Sequence, residues 1–515
     1  MHSHDALFSC KNVRRFIIVT LLYQAAFIHH FGGCFMRSVS HRLVLFCILA
    51  LVTGSIGCDS KEDAKTTNQT SAQTSADVAD TASGTTPEVE SQTTATPKPE
   101  QLEAALEGTD AKASLEAFDR QIEGEKRMFE SRPKEWLRAA RISSAYAQRA
   151  RLTNSWDDWD KALEWNNKAF EAAPEGSGPL WERASLNYSL HNFDKVGPDL
   201  DAYSKRIILK DTEKSAISQM RGDLAFHSGD LEEALKHYEE AQQHKDSPSI
   251  RVALGHYHFK TGDLEKAREH FDKAIDLAPK HDKLTRAWAL LQRGIIELDT
   301  GNWRDARRYF EEANTTYAGW FLIEEHLAEV TGLLGDNERA KEMYEGIVAR
   351  VPAGEFMEAL ADTYEALGDE AKAKEWKKRA GEAYARDMKR YPQAVYGHGM
   401  DYFLTGEDTA KALEIAQKNH ETRPGFEAKT KLAQAHIRAG QLAEAEELVK
   451  ASLDAGWDTA DLHATAARLY ALQGNADEAK KQEARAKELH PEAVADAEWI
   501  APLEPIQEKP SDGKK

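Results

Sequence analysis

The strongest constraint on this chain is a short frame that returns along it. A glycine followed by Asp, Asn or Gln occurs as Gly229-Asp230, Gly262-Asp263, Gly301-Asn302, Gly335-Asp336, Gly368-Asp369, Gly440-Gln441 and Gly474-Asn475. From Gly229 to Gly368 the spacings are 33, 39, 34 and 33 residues, and the last two members lie 34 apart. Five residues after each glycine stands an alanine: Ala234, Ala267, Ala306, Ala340, Ala373, Ala445 and Ala479. Prolines at Pro174, Pro279, Pro352, Pro424 and Pro491 close several of the units. A period of this length marks an array of small units, each of which buries its apolar face only by stacking on the next.

The stretch "ALGHYHFKTGDLEKAREHFDKAIDLAPK", Ala253 to Lys280, shows what one unit encodes. Gly255 is small enough to let a first helix lie against a second. Gly262 ends that first helix, where a left-handed residue is needed. Ala267, Phe271 and Ala274 follow i, i+4, i+7 spacing and make one face of the second helix, the alanines permitting close approach. Pro279 stops that helix before the next unit begins.

This frame resembles the tetratricopeptide repeat, a helix–turn–helix of about 34 residues. The match runs from Trp136 to Pro491 and divides into ten units: 136–175, 177–210, 215–247, 248–281, 287–320, 321–353, 354–387, 392–425, 426–459 and 460–493. The first two are the least regular. "TNSWDD" expands the turn of the first, and His191-Asn192 replaces the turn glycine of the second, with Pro198 in its second helix. The eighth carries one extra residue in "TGEDTAKA". The resemblance implies an all-α fold, an α-solenoid of stacked helix pairs forming a right-handed superhelix over 133–493. A leading helix is expected over 101–132, where Leu115, Phe118, Ile122 and Phe129 have near-helical spacing. Residues 494–515 form a C-terminal cap and tail, with Trp499 and Ile500 placed to cover the last helix.

Two short apolar runs, from Phe16 and from Leu43, each follow basic residues and are shorter than the ~20 residues a spanning helix needs. The second ends in Ser55-Ile56-Gly57-Cys58. This resembles the lipobox of bacterial lipoproteins, although Ser55 stands where leucine is usual. The resemblance implies a signal peptide over 36–57 and lipidation of Cys58. Residues 1–35 read as an upstream extension of a start at Met36; the alternative is a leader of two hydrophobic segments that stays in the membrane. Several acyl chains on Cys58 give stable attachment. From Asp59 to Pro99 Thr, Ser, Ala and Gln dominate without apolar period, so 58–100 is expected to be a disordered linker.

A net charge of −19 argues against a general nucleic-acid binder, which needs basic surface to displace counterions from phosphates. All four cysteines lie at or before Cys58, so the long C-terminal part has no disulfide, thiolate nucleophile or cysteine ligand. No phosphate-binding glycine loop, nucleophile elbow or paired-histidine zinc helix occurs, and no cofactor is expected. His256 and His258 are two apart on a helix and point to different faces, as packing or surface histidines do. His398 and Asp401 are three apart but lack a third ligand or nucleophile. Trp156, Trp159 and Trp165 crowd together, either as a sugar- or peptide-binding platform or as core.

In proteins similar to this one, positions 2, 5, 9, 12 and 13 of each first helix line the concave face. Carried onto this sequence, that frame gives Asp223; Trp288, Leu291, Ile295 and Leu298; Glu325 and Glu329; and Glu355, Glu358, Asp362 and Glu365. The expectation is an acidic strip beside an apolar patch in mid-groove; the plainer account is that acids merely reflect an acidic chain. The function expected is a non-enzymatic, membrane-anchored scaffold in the bacterial cell envelope, facing the periplasm or exterior, that binds basic or extended protein segments. The alternative is an accessory subunit of, or a rare enzyme in, an envelope pathway. A self-associating structural protein is a third reading.

Overall fold

In a computed structural model of the chain, the described residues are 106–206 and 208–502, and every regular element among them is helical. The leading helix α1 (Asp110–Ser131) is followed by pairs: α2 (Trp136–Thr153) with α3 (Trp156–Ala172), α4 (Leu180–Ser189) with α5 (Val196–Ser204), α6 (Asp211–Ser228) with α7 (Leu231–His244), and α8 (Pro248–Lys260) with α9 (Leu264–Leu277). Then come α10 (Lys283–Asp299) with α11 (Trp303–Thr316), α12 (Phe321–Leu333) with α13 (Asn337–Arg350), and α14 (Gly354–Ala366) with the longer α15 (Glu370–Arg390). In the next pair the first helix is broken into α16 (Pro392–Tyr396) and α17 (Met400–Thr405), which pack on α18 (Thr409–Thr422). The array ends with α19 (Phe426–Arg438) and α20 (Leu442–Asp454), α21 (Ala460–Leu472) and α22 (Ala476–Leu489), and the short α23 (Ala493–Asp496). Helices of a pair pack on one another, and each pair packs on the next, which is the architecture of an α-solenoid.

The recurring dipeptide explains each pair. All seven turn glycines have positive φ, from 73° at Gly440 to 97° at Gly335, so each ends its first helix in the left-handed region. The residue after the glycine then caps the second helix. Asp263 accepts from the Lys266 amide at 3.2 Å, and Asp230, Asp336, Asp369 and Asn475 do the same for their helices. Such caps contribute about 1 kcal/mol each. In the first two pairs, where glycine is absent, Asn154 (φ 54°) and His191 (φ 57°) take the left-handed turn themselves.

Between helices, small residues set the distance. A Cβ on Gly255 would lie 2.9 Å from the Phe271 ring, and one on Gly222 would lie 2.6 Å from Tyr238. Ala267, Phe271 and Ala274 are fully buried, as are Ala306, Phe310 and Ala313 one pair later.

The solenoid winds so tightly that later pairs return to touch earlier ones. Trp156 stacks on Tyr391 with ring centroids 5.0 Å apart, and Arg390 pairs with Asp157 at 2.6 Å. Arg423 donates to Nδ1 of His191 at 3.2 Å. Phe226 meets Trp457 at 5.6 Å, and the Asp458 amide donates to the Lys260 carbonyl at 3.0 Å. At the leading end, the Ala111 amide donates to the Ala318 carbonyl at 3.0 Å, and the Tyr317 hydroxyl to Ser114 at 2.8 Å.

Candidate functional site

The first helices of the pairs face inward, and these contacts between turns close over them. The residues expected to line an open groove are therefore mostly enclosed. Asp223, Trp288, Leu291, Ile295, Leu298, Glu325, Glu329, Glu358 and Asp362 are buried, Glu355 is half-buried, and Glu365 is exposed. The open acidic strip is thus replaced by an acid-rich interior. Across it Asn154, from the turn of the first pair, reaches Glu355 at 3.5 Å. Leu291 and Ile295 pack in the core rather than forming a surface patch.

Burial without full pairing sets the charge state of this interior. Asp223 on α6 accepts from the Tyr238 hydroxyl at 2.9 Å, yet burial pushes its carboxyl up to about 7. Glu358 on α14 accepts from the Tyr384 hydroxyl at 3.1 Å and is raised by burial and by the charge of Asp362. Glu329 on α12 is raised by burial and then by Glu325. Its neighbour His326 sits 2.6 Å from Glu325; burial pulls the imidazole down, but the carboxylates outweigh it and hold it at about 9. Oε1 of Glu329 and Oδ1 of Asp299 have no hydrogen-bond partner among the described residues. Burial lifts Asp299 to about 7.

A second polar cluster was not singled out from sequence. A cavity of about 140 Å³ is lined by Lys260, Asp299, Asp401, Glu427, Lys431, Asp461, Trp457 and His490, among others. Lys431 lies 2.8 Å from Asp401 and 3.5 Å from Asp461, and Lys260 lies 3.4 Å from Glu427. Burial pulls the Lys431 ammonium down, but Asp401 and Asp461 more than compensate and hold it above its ordinary value. Lys260 and Asp299 occupy the thirteenth position of their units, and Glu427 and Asp461 the second. Extending the concave-face frame to units 248–281, 426–459 and 460–493 finds Lys260, Glu427 and Asp461, and completing it in unit 287–320 finds Asp299.

The other singled-out residues have packing partners. Asp401 pairs with Lys431, while burial and the Arg423 charge push the His398 imidazole down to about 3. The three tryptophans do not form one platform. Trp159 is fully buried, Trp156 stacks on Tyr391, and Trp165 meets Phe129 edge-on at 5.6 Å. His256 bonds to Gln292 at 2.7 Å, whereas His258 stacks on His270, so the two do point apart. No group of three or more His, Cys, Asp or Glu among the described residues is placed to hold a metal. No helix among the described residues is long and apolar enough to cross a membrane. Cys58, Met36, the leader and the linker lie outside the described residues.

Sequence models of the tetratricopeptide repeat match residues 246–317 and 407–460. No curated protein matches the chain. Among solved structures, similar folds include the APC/C hetero-tetramer Cut9–Hcn1 (14% identity, 71% of this chain and 75% of that one, TM-score 0.34). Yeast Tom70 is 15% identical over 78% of this chain and 96% of its own, with a TM-score of 0.33. A tetratricopeptide repeat protein from Parabacteroides merdae is 16% identical over 48% and 98%, with a TM-score of 0.31. Repeats of this kind serve as scaffolds for protein–protein interaction. The chain carries tetratricopeptide repeats, and its helix pairs stack them into an α-solenoid.

Proposed function

We propose that this protein is a scaffold tethered to a membrane of the bacterial envelope by lipid on Cys58, which receives a basic or extended segment of a partner protein on its inner face. The observation that carries the recognition half is a set of buried interior carboxyls that outnumber the cations among them, His326 included, and are incompletely hydrogen-bonded. Oε1 of Glu329 and Oδ1 of Asp299 are unpartnered among the described residues, and Asp223 and Glu358 take only a tyrosine hydroxyl in the hydrogen bonds of their carboxyls. A lysine or arginine side chain brought among them gains charge-assisted hydrogen bonds that the neutral acids do not make. The turns that cover the inner face must part to admit it, and binding energy that favours the open arrangement is what shifts that equilibrium.

Isosteric substitution tests this without burying new charge. In the full chain, Glu325→Gln, Glu329→Gln, Glu358→Gln and Asp362→Asn together should weaken binding of a labelled lysine- and arginine-rich peptide, followed by fluorescence anisotropy. Unchanged affinity, with helix content intact, refutes the acidic inner face as the recognition surface. The tether is tested separately by the intact mass of protein extracted from membranes: a start at Cys58 carrying acyl mass supports it, and an unmodified Cys58 overturns it.

A further inference from the structure

The last ten described residues do more than shield the final helix pair. After α22 ends, Pro491 prevents continuation, and the chain folds back through α23 across the inner sides of the last three pairs. Ala493, Ala497 and Ile500 turn inward and are buried, Ile500 to 1% exposure, while Glu492 and Glu498 face solvent. Trp499 packs against the cluster of Met400, Leu404 and Ile415, two pairs back. Two arginines from successive first helices hold the backbone of this segment. Nη1 of Arg438 donates to the Trp499 carbonyl at 2.9 Å while its Nη2 donates to the Gly406 carbonyl at 2.9 Å. Nε of Arg468 donates to the Ile500 carbonyl at 2.8 Å.

A segment that only capped the array would touch the last pair alone. This one spans three pairs and is gripped by Arg438 and Arg468, which stand at the thirteenth and ninth positions of their units, both concave-face positions. Buried side chains at i, i+4 and i+7, here Ala493, Ala497 and Ile500, laid on apolar surface are how a short helical segment is recognised in a groove, and the two arginine-held carbonyls fix its end. We propose that the inner face of the last three pairs is a peptide-binding groove, held in this structure by the chain's own residues 493–502 and yielded to a partner segment of the same chemistry. That segment carries an aromatic residue followed by an aliphatic one, with small residues three and seven positions before the aliphatic. The proposal rests on the reading of the inner face as a partner surface, but it concerns a different stretch of it and a partner recognised by apolar side chains and backbone rather than by basic groups.

The test uses the full chain and a labelled peptide with the sequence of residues 492–502. In the wild type the tethered copy competes at millimolar effective concentration, so the peptide binds weakly. Ile500→Glu places a charge in the apolar seat, releases the tethered copy, and should tighten peptide binding by about tenfold or more. Adding Arg438→Gln and Arg468→Gln to that variant should abolish the gain, and a peptide with alanine at both the Trp and Ile positions should not bind. Should Ile500→Glu lose helix content, Trp499→Ala, which alters a half-buried side chain, is measured in its place. Equal peptide binding by wild type and the released variant, or binding indifferent to the two arginines, overturns the proposal. The basic-peptide assay above is independent of this groove, so failure of one leaves the other readable.

Discussion

Replacing Asp223 by Asn tests the account of the interior most directly. The carboxyl is 5% exposed, accepts one hydrogen bond from Tyr238, and is lifted by burial from 3.8 to about 7. In the folded chain it keeps its proton at pH values where the unfolded chain has lost it. Stability therefore falls as pH rises from about 4 to about 7 and is level above that range. For one group moved this far, the whole loss is on the order of 4 kcal/mol, of which about 2.5 kcal/mol falls between pH 5 and pH 8. Asp223→Asn keeps the shape and the acceptor but never ionises, so its stability relative to wild type should improve by that amount between the two pH values. His227 and His256, which line the same cavity and are pushed down to about 3 and 4 by burial, titrate in both chains and cancel in the comparison. Repeat arrays open locally, so the measurement is amide hydrogen exchange over residues 211–244 rather than a global melt. A difference between variant and wild type that is the same at pH 5 and pH 8, within about 0.5 kcal/mol, refutes the claim that this acid is held neutral.

Two further substitutions probe packing and pairing. Gly255→Ala puts a Cβ 2.9 Å from the Phe271 ring and should cost about 1–3 kcal/mol in urea unfolding, with part of the loss recovered by Phe271→Leu in the double variant. Lys431→Met leaves Asp401 buried without its ammonium and should cost about 3–5 kcal/mol, whereas Lys431→Met with Asp401→Leu should regain most of that stability in the same assay.

What could be read from the sequence is what repeats locally. The glycine at each turn, the alanine five residues on and the proline at the close each act within one unit, so one frame yields the helix pairs and the inward face of each first helix. The capping role of Asp263 and its equivalents was also open to reading, because Gly-Asp before an apolar-periodic run is a start signal for a helix. The same frame led to the expectation of an open groove, and there it failed. Whether turns touch depends on residues such as Trp156 with Tyr391, or Lys260 with Asp458, which lie far apart in the chain and follow no period. The turns at Asn154 and His191 were placed by the frame, but their left-handed conformation was less marked than where glycine stands. The C-terminal segment was read as a cover for the last helix because its grip depends on arginines in two different units.

The closure of the turns and the acidity of the interior are linked rather than separate properties. Carboxyls such as Asp223 and Asp299 are lifted to about 7 by burial from water. On the function proposed above, parting the turns would hydrate them, return them toward ordinary acidity and create the negative surface suited to a basic segment. By reciprocity, a ligand that prefers ionised carboxyls stabilises the parted arrangement, and whatever holds the turns together weakens the ligand. On that proposal the stacked pair Trp156–Tyr391 and the backbone bond from Asp458 to Lys260 would bear on recognition although neither includes a proposed recognition residue. In a solenoid, where each unit meets mainly its neighbours, such contacts between turns are the places where the whole array would act on the proposed bound segment.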